Sequence, residues 1–225
     1  MYENYESLDE EKRSLVRKHL ELVLKANETL NLTRIEDVDV GMLLHVEDSL
    51  TALPEINEAP KGLYGDLGSG AGYPGIPLAI ATGRNAVLID SRAKKMDTVK
   101  GILDTMGLSD QIEVYAGRAE LLARKSRGQY AALTARALSK LSVLLELASP
   151  LLVKGGRLIC YKANVEDEEM ENAHRVGMMV GMSLVSDRSF RLAGEYQRRI
   201  LVFEKSNIAK IKLPRQEGAA QKRPL

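Results

Sequence analysis

The chain has 225 residues, a formal net charge of +1, one cysteine and no tryptophan. That length suits one α/β domain with a sizeable core plus a modest extension, and excludes two full domains. The near-zero charge excludes a strong global field for nucleic acid, so any such contact has to come from local groups of Lys and Arg. Cys160 has no partner for an internal disulfide, and His19, His45 and His174 are too scattered for a zinc site by spacing.

The first dozen residues are polar and acidic, the opposite of a secretory signal, and no apolar run approaches the ~20 residues that span a bilayer. A cytoplasmic protein without a membrane partner is expected. Ser7-Leu8-Asp9-Glu10 has the form of a capping box, and the apolar spacing that follows predicts an amphipathic helix to about residue 30. Asn31 to Arg34 breaks it, a second helix is predicted over 37–53, and 54–61, with two prolines, reads as a loop. From residue 63 the texture changes. Short apolar runs at 63–67, 86–90, 111–115, 130–135 and 157–162 alternate with helical segments at 76–82, 93–106, 120–125 and 140–152. This rhythm implies a Rossmann-like, doubly wound, mostly parallel sheet with right-handed crossovers. After a helix over 166–179, two strand-like runs at 183–192 and 199–205 are joined too closely for a crossover and must pair as an antiparallel hairpin. The expected division is a helical extension over 1–60, the α/β domain over 61–205 and a flexible basic tail over 206–225.

The stretch from Gly62 to Gly75 runs from a strand through glycines 68, 70, 72 and 75 into an apolar helix. Such a turn brings the main chain close to a ligand and aims a helix start at it. Gly70, Gly72 and Gly75 fit G-x-G-x-x-G, so a NAD-dependent oxidoreductase has to be weighed, as does a non-catalytic module that binds an adenosine ligand. Asp66, two residues before Gly68, shifts the balance. A carboxylate facing the ligand would repel a pyrophosphate and attract the ammonium and sulfonium of S-adenosylmethionine. Asp90, followed by Ser91, is placed to accept from ribose hydroxyls with either cofactor, and Gly117 to Glu120 follows the third strand where an adenine would be held.

Asn31-Leu32-Thr33, His45 to Leu50, Asp66 to Pro77 and Arg136-Ala137 with Leu141 occur in an order and spacing that closely resembles the glucose-inhibited division protein B family. These are bacterial methyltransferases that methylate N7 of a guanine in small-subunit ribosomal RNA. The resemblance covers about 31–162 and implies an S-adenosylmethionine-dependent methyltransferase domain acting on small-subunit ribosomal RNA or the small subunit itself; a monomer is expected. It carries cofactor roles to Gly68, Tyr73, Ala119, Glu120 and Arg136, with Gly70 and Gly72 in the same loop. Tyr73 departs from the aliphatic residue of that place, so its main chain is the part expected to serve. Lys94, Arg118 and Lys162 match basic positions near the donor or the RNA.

The fourth strand ends Thr134-Ala135-Arg136-Ala137, without the acid or amide, two prolines and aromatic that many exocyclic-amine methyltransferases present there. Guanine N7 has an in-plane lone pair and no proton to lose, so no general base is expected and positioning supplies the rate. Because the product is cationic, Arg118, Arg136 and Lys162 are assigned to phosphate, to the donor's carboxylate or to guanine O6. With few aromatics for stacking, RNA recognition would lean on phosphates and weaken with salt.

Overall fold

A computed structural model describes residues 2–225. A short helix, α1 (Glu3–Glu6), precedes α2 (Glu10–Leu30). The expected capping box does not form: Ser7 ends α1, its hydroxyl donating to the Asn4 carbonyl at 2.6 Å, and Asp9 caps α2 by accepting from the Lys12 amide at 2.9 Å. Asn31 stops α2 in the left-handed conformation at φ 46°, which asparagine tolerates. The helix that follows is continuous over 38–50. It comprises α3 (Val38–Gly41), a π-helical turn (Met42–Glu47) and α4 (Asp48–Leu50). Pro54 does not begin a loop as expected but sits in the first turn of α5 (Leu53–Glu58), where its missing N–H is not needed.

The α/β part follows the predicted rhythm: β1 (Leu63–Leu67), α6 (Gly75–Thr82), β2 (Ala86–Asp90), α7 (Ala93–Met106), β3 (Ile112–Ala116), α8 (Ala119–Lys125), β4 (Tyr130–Arg136), α9 (Leu141–Ala148), β5 (Leu152–Lys162), α10 (Asp167–Val180), β6 (Met182–Leu192) and β7 (Tyr196–Lys205). The sheet order is β3-β2-β1-β4-β5-β7-β6. All pairs from β3 to β5 are parallel, and β7 joins β5 and β6 antiparallel, closing the sheet with the expected hairpin. The strand order reverses between β1 and β4, so the carboxyl ends of β1, β2 and β4 frame a crevice there. Two strands outrun their predicted ranges by more than one residue. β5 begins at Leu152, before the glycines that obscured it, and the start of β7 carries Gln197, Arg198 and Arg199, which hide a strand from a hydropathy reading.

Apolar faces are buried on both sides of the sheet. Tyr64, Leu88, Ile159 and Val202 pack against α6, α7 and the N-terminal helices, whereas Leu133, Leu158 and Phe203 pack against α8, α9 and α10. Val16, Leu20 and Val23 of α2 share one core with Ile76 and Met96, so the extension is a layer of the domain. Nor is the basic tail the flexible segment expected. Leu213, Ala219 and Ala220 are buried and a last helix, α11 (Ala219–Lys222), lies on the domain, because Arg215 pairs with the buried Glu146 through two bonds of 2.7 and 2.6 Å.

Candidate active site

The loop after β1 is folded by its own amides. Gly68 and Ser69 donate to the Ile89 carbonyl at 2.7 and 3.3 Å, Gly72 donates to Ser69 at 2.8 Å, and Gly70 donates to the Asp90 carboxylate at 3.1 Å. At Gly68 the φ of +75° favours glycine, and a Cβ would sit 2.7 Å from the Leu138 side chain. Any other residue here would be strained and would have to displace Leu138.

Asp66 does not face this crevice as expected. It is fully buried; one oxygen accepts from the Gly75 amide at the start of α6 at 2.9 Å, the other from the Thr134 hydroxyl at 2.7 Å. Thr134 is bonded in turn to the Tyr64 hydroxyl at 2.6 Å. Burial pushes the Asp66 carboxyl up to about 6, with the Thr134 and Gly75 bonds opposing the rise. It ties β1, α6 and β4 together and caps α6. Tyr73 also points away from the crevice. Its ring stacks on His45 at 4.4 Å, tilts against His19 at 4.6 Å and lies 5.8 Å from the Arg136 guanidinium carbon. The Nε2 of His19 bonds the Ala71 carbonyl at 3.1 Å and that of His45 bonds the Thr33 hydroxyl at 2.8 Å. Burial lowers His19 to about 4; burial together with the Arg136 charge lowers His45 to about 3. The loop is thus backed by neutral rings from the extension.

Several predicted residues do come together. Gly68, Asp90, Ser91, Arg118, Ala119 and Glu120 line one cleft of about 260 Å³ at the strand-order reversal, together with Leu138. Both Asp90 oxygens are held by Arg92, through the amide at 2.9 Å, Nε at 3.2 Å and Nη2 at 3.2 Å. Burial would raise the Asp90 carboxyl, but these bonds outweigh it and hold the carboxyl below its ordinary value. The Arg92 side chain is 58% exposed. S-adenosylmethionine fits this lining: a carboxylate at the end of β2 suits a ribose diol, and Leu138 and Ala119 suit a flat base.

Arg136 and Lys162 line a second cavity of about 470 Å³, which shares Ala137 with the cleft. Arg136 is committed to the extension: its Nη1 donates to the Leu44 carbonyl at 3.0 Å and to Asp48 at 2.8 Å. Lys162 donates to the Ser139 carbonyl at 3.1 Å and to Glu169 at 2.7 Å. Arg198 of β7, missed from sequence, completes this wall by donating to the other Asp48 oxygen at 2.6 Å. Asp48 lay in the quoted His45 to Leu50 segment without a role, and nothing in the sequence around Arg198 marks it. Gly70, Gly72 and Lys94 do not line either space; Lys94 is exposed on α7. Among the described residues no group of His, Cys, Asp and Glu could hold a metal ion.

Comparison with known proteins agrees with this architecture. Residues 12–200 match the family model described as rRNA small subunit methyltransferase G. A protein named ribosomal RNA small subunit methyltransferase G from Lactobacillus acidophilus is 32% identical over 228 residues, covering 99% of this chain and 94% of that protein. The protein of the same name from Lysinibacillus sphaericus is 34% identical over 222 residues, covering 97% and 93%. Among solved structures, an O-methyltransferase from Bacillus cereus in complex with SAH superposes with a TM-score of 0.56 at 18% identity over 83% of this chain and 90% of that one. A geranyl diphosphate C-methyltransferase from Streptomyces coelicolor gives 0.54 at 11% identity, over 70% and 76%. These two show the fold alone. The glycine loop, the crevice at the strand-order reversal and the family match over most of the chain agree, and the chain belongs to the rRNA small subunit methyltransferase G family.

Proposed function

We propose that this chain transfers a methyl group from S-adenosylmethionine to N7 of a guanine in small-subunit ribosomal RNA. The donor would occupy the cleft between the glycine loop and α8, and the guanine the adjoining cavity. The observation that carries this placement is that the two spaces meet at Ala137, beyond the carboxyl end of β4, with Arg136, Lys162 and Arg198 gathered around the second. When bound, S-adenosylmethionine supplies an electrophilic methyl on a sulfonium. The chain's own task is positional. Asp90 would take the ribose once Arg92 releases it, Gly68 and Gly117 would let the main chain approach, and Ala119 and Leu138 would hold the adenine. Arg136, Lys162 and Arg198 would meet O6 or phosphates, Arg118 the RNA beside the cleft, and Lys94 a more distant phosphate. A lone pair in the ring plane needs no base, and alignment alone can supply ~7–11 kcal/mol of the barrier.

Burial of Asp66 removes the charge argument against a dinucleotide, so the choice of donor rests on family membership. A monomeric catalyst is part of this proposal. Incubation with tritiated donor and small ribosomal subunits or protein-free RNA, followed by reduction and aniline cleavage at N7-alkylated guanine, should map label to a guanine N7. Titration calorimetry should show tighter binding of S-adenosylmethionine than of NAD. Absence of guanine N7 label, or preference for NAD, would sink the proposal.

A further inference from the structure

The segment after β7 ends beside the donor cleft. From Lys205 the chain crosses the lower end of the sheet, where the Ser206 and Asn207 amides donate to the Gly181 carbonyl at 3.1 Å each. It is held again where Arg127 Nη1 donates to the Leu213 carbonyl at 2.6 Å and where Arg215 clasps Glu146. It then turns at Gly218, at φ +73°, whose amide donates to Glu120 Oε1 at 2.8 Å. Glu217 pairs with Arg118 at 3.3 Å, and Gln221 accepts from Arg118 Nη1 at 3.5 Å while lining the cleft. Ala219 packs on the domain beneath, and Ala220 joins Val143 and Leu147 in a small apolar cluster. The matched family region ends at residue 200, so the tail side of each of these contacts lies outside it.

We propose that residues 213–222 are a working wall of the donor cleft. The segment fixes Glu120 and Arg118 from behind and presents the Gln221 amide to the adenosine half of the ligand; this rests on the donor reading given above. Both are positional roles. Gln221 is exposed and anchors no core, so its truncation leaves the fold alone. Its amide offers both a donor and acceptors, which matches the mixed hydrogen-bonding edge of an adenine.

The test uses the full chain with S-adenosylhomocysteine as probe, read by hydrogen exchange and calorimetry. Saturation with the probe should slow exchange over 215–222. Gln221→Ala should weaken binding roughly three- to tenfold, the worth of a lost neutral hydrogen bond, with the melting temperature of the free protein unchanged. Binding by Gln221→Ala equal to wild type, with exchange over 215–222 unaltered by the probe, would overturn the proposal. If the wild-type chain does not bind the probe at all, the donor reading itself is overturned, and the role of the tail with it.

Discussion

Asp66 is the residue whose meaning changes most between one dimension and three. A carboxylate two positions before a glycine turn invites a ligand's ammonium, but both oxygens are used inside the fold, on Gly75 and Thr134. Nothing in the local sequence announces this, because Thr134 lies 68 residues away, on the strand across the reversal point. Asp66→Ala would leave the Gly75 amide and the Thr134 hydroxyl buried without their partner. A loss of about 1–3 kcal/mol in urea unfolding is therefore expected. Asp66→Asn, which keeps an acceptor, should retain donor affinity to within about threefold by calorimetry. A severalfold loss of affinity in Asp66→Asn at unchanged stability would return Asp66 to the ligand. Asp90, by contrast, is where the sequence placed it, and only its grip by Arg92 was hidden, since two residues of spacing do not say which way a long side chain folds.

At the scale of elements, the glycine loop depends on the helices in front of it. The turn over Met42–Glu47 carries the Leu44 carbonyl to Arg136 and stacks His45 on Tyr73, while His19 of α2 reaches Ala71. These contacts were illegible because the two helices meet the loop only through tertiary packing, and apolar spacing locates a helix without saying what its polar residues touch. Strand positions were read nearly residue for residue where β-rich runs are buried on both faces, as in β1 and β2. The rings also predict an acid response. Folding lowers His19 to about 4 and His45 to about 3 from an ordinary 6.5. Their contribution is present above pH 6.5 and is lost as pH falls through about 4, since the unfolded chain binds the protons first. Asp66 acts oppositely: with its carboxyl raised to about 6 from 3.8, its contribution is present below 3.8 and lost as pH rises through 6. Two groups outweigh one, so stability should fall between pH 7 and 4.5. In His45→Phe, which keeps a ring on Tyr73, that fall should shrink by about 1–2 kcal/mol, read from urea midpoints at the two pH values.

Taken whole, the molecule joins a near-neutral chain to cations placed around one end of its sheet. Arg136, Lys162 and Arg198 are gathered there from β4, β5 and β7, which no linear stretch of sequence could display. RNA affinity should therefore depend steeply on salt although the net charge is +1. Replacing the exposed Lys94 by Ala should flatten the slope of log affinity against log salt by about 0.7, with affinity for S-adenosylhomocysteine unchanged; an unaltered slope would remove Lys94 from the RNA surface. The fold class was legible because alternating strands and helices allow few arrangements. The folded tail was not, because its hold on the domain comes from Glu146 and Glu120, acids that its own composition does not reveal. Asp48, finally, sets a schedule. Its two arginine partners lie 88 and 150 residues downstream. At a translation rate of about 5–20 residues per second, Arg198 is made roughly 8–30 seconds after Asp48. A nascent chain therefore holds an unfinished second cavity until the last strand is synthesised, and a truncated product lacking β7 never completes one.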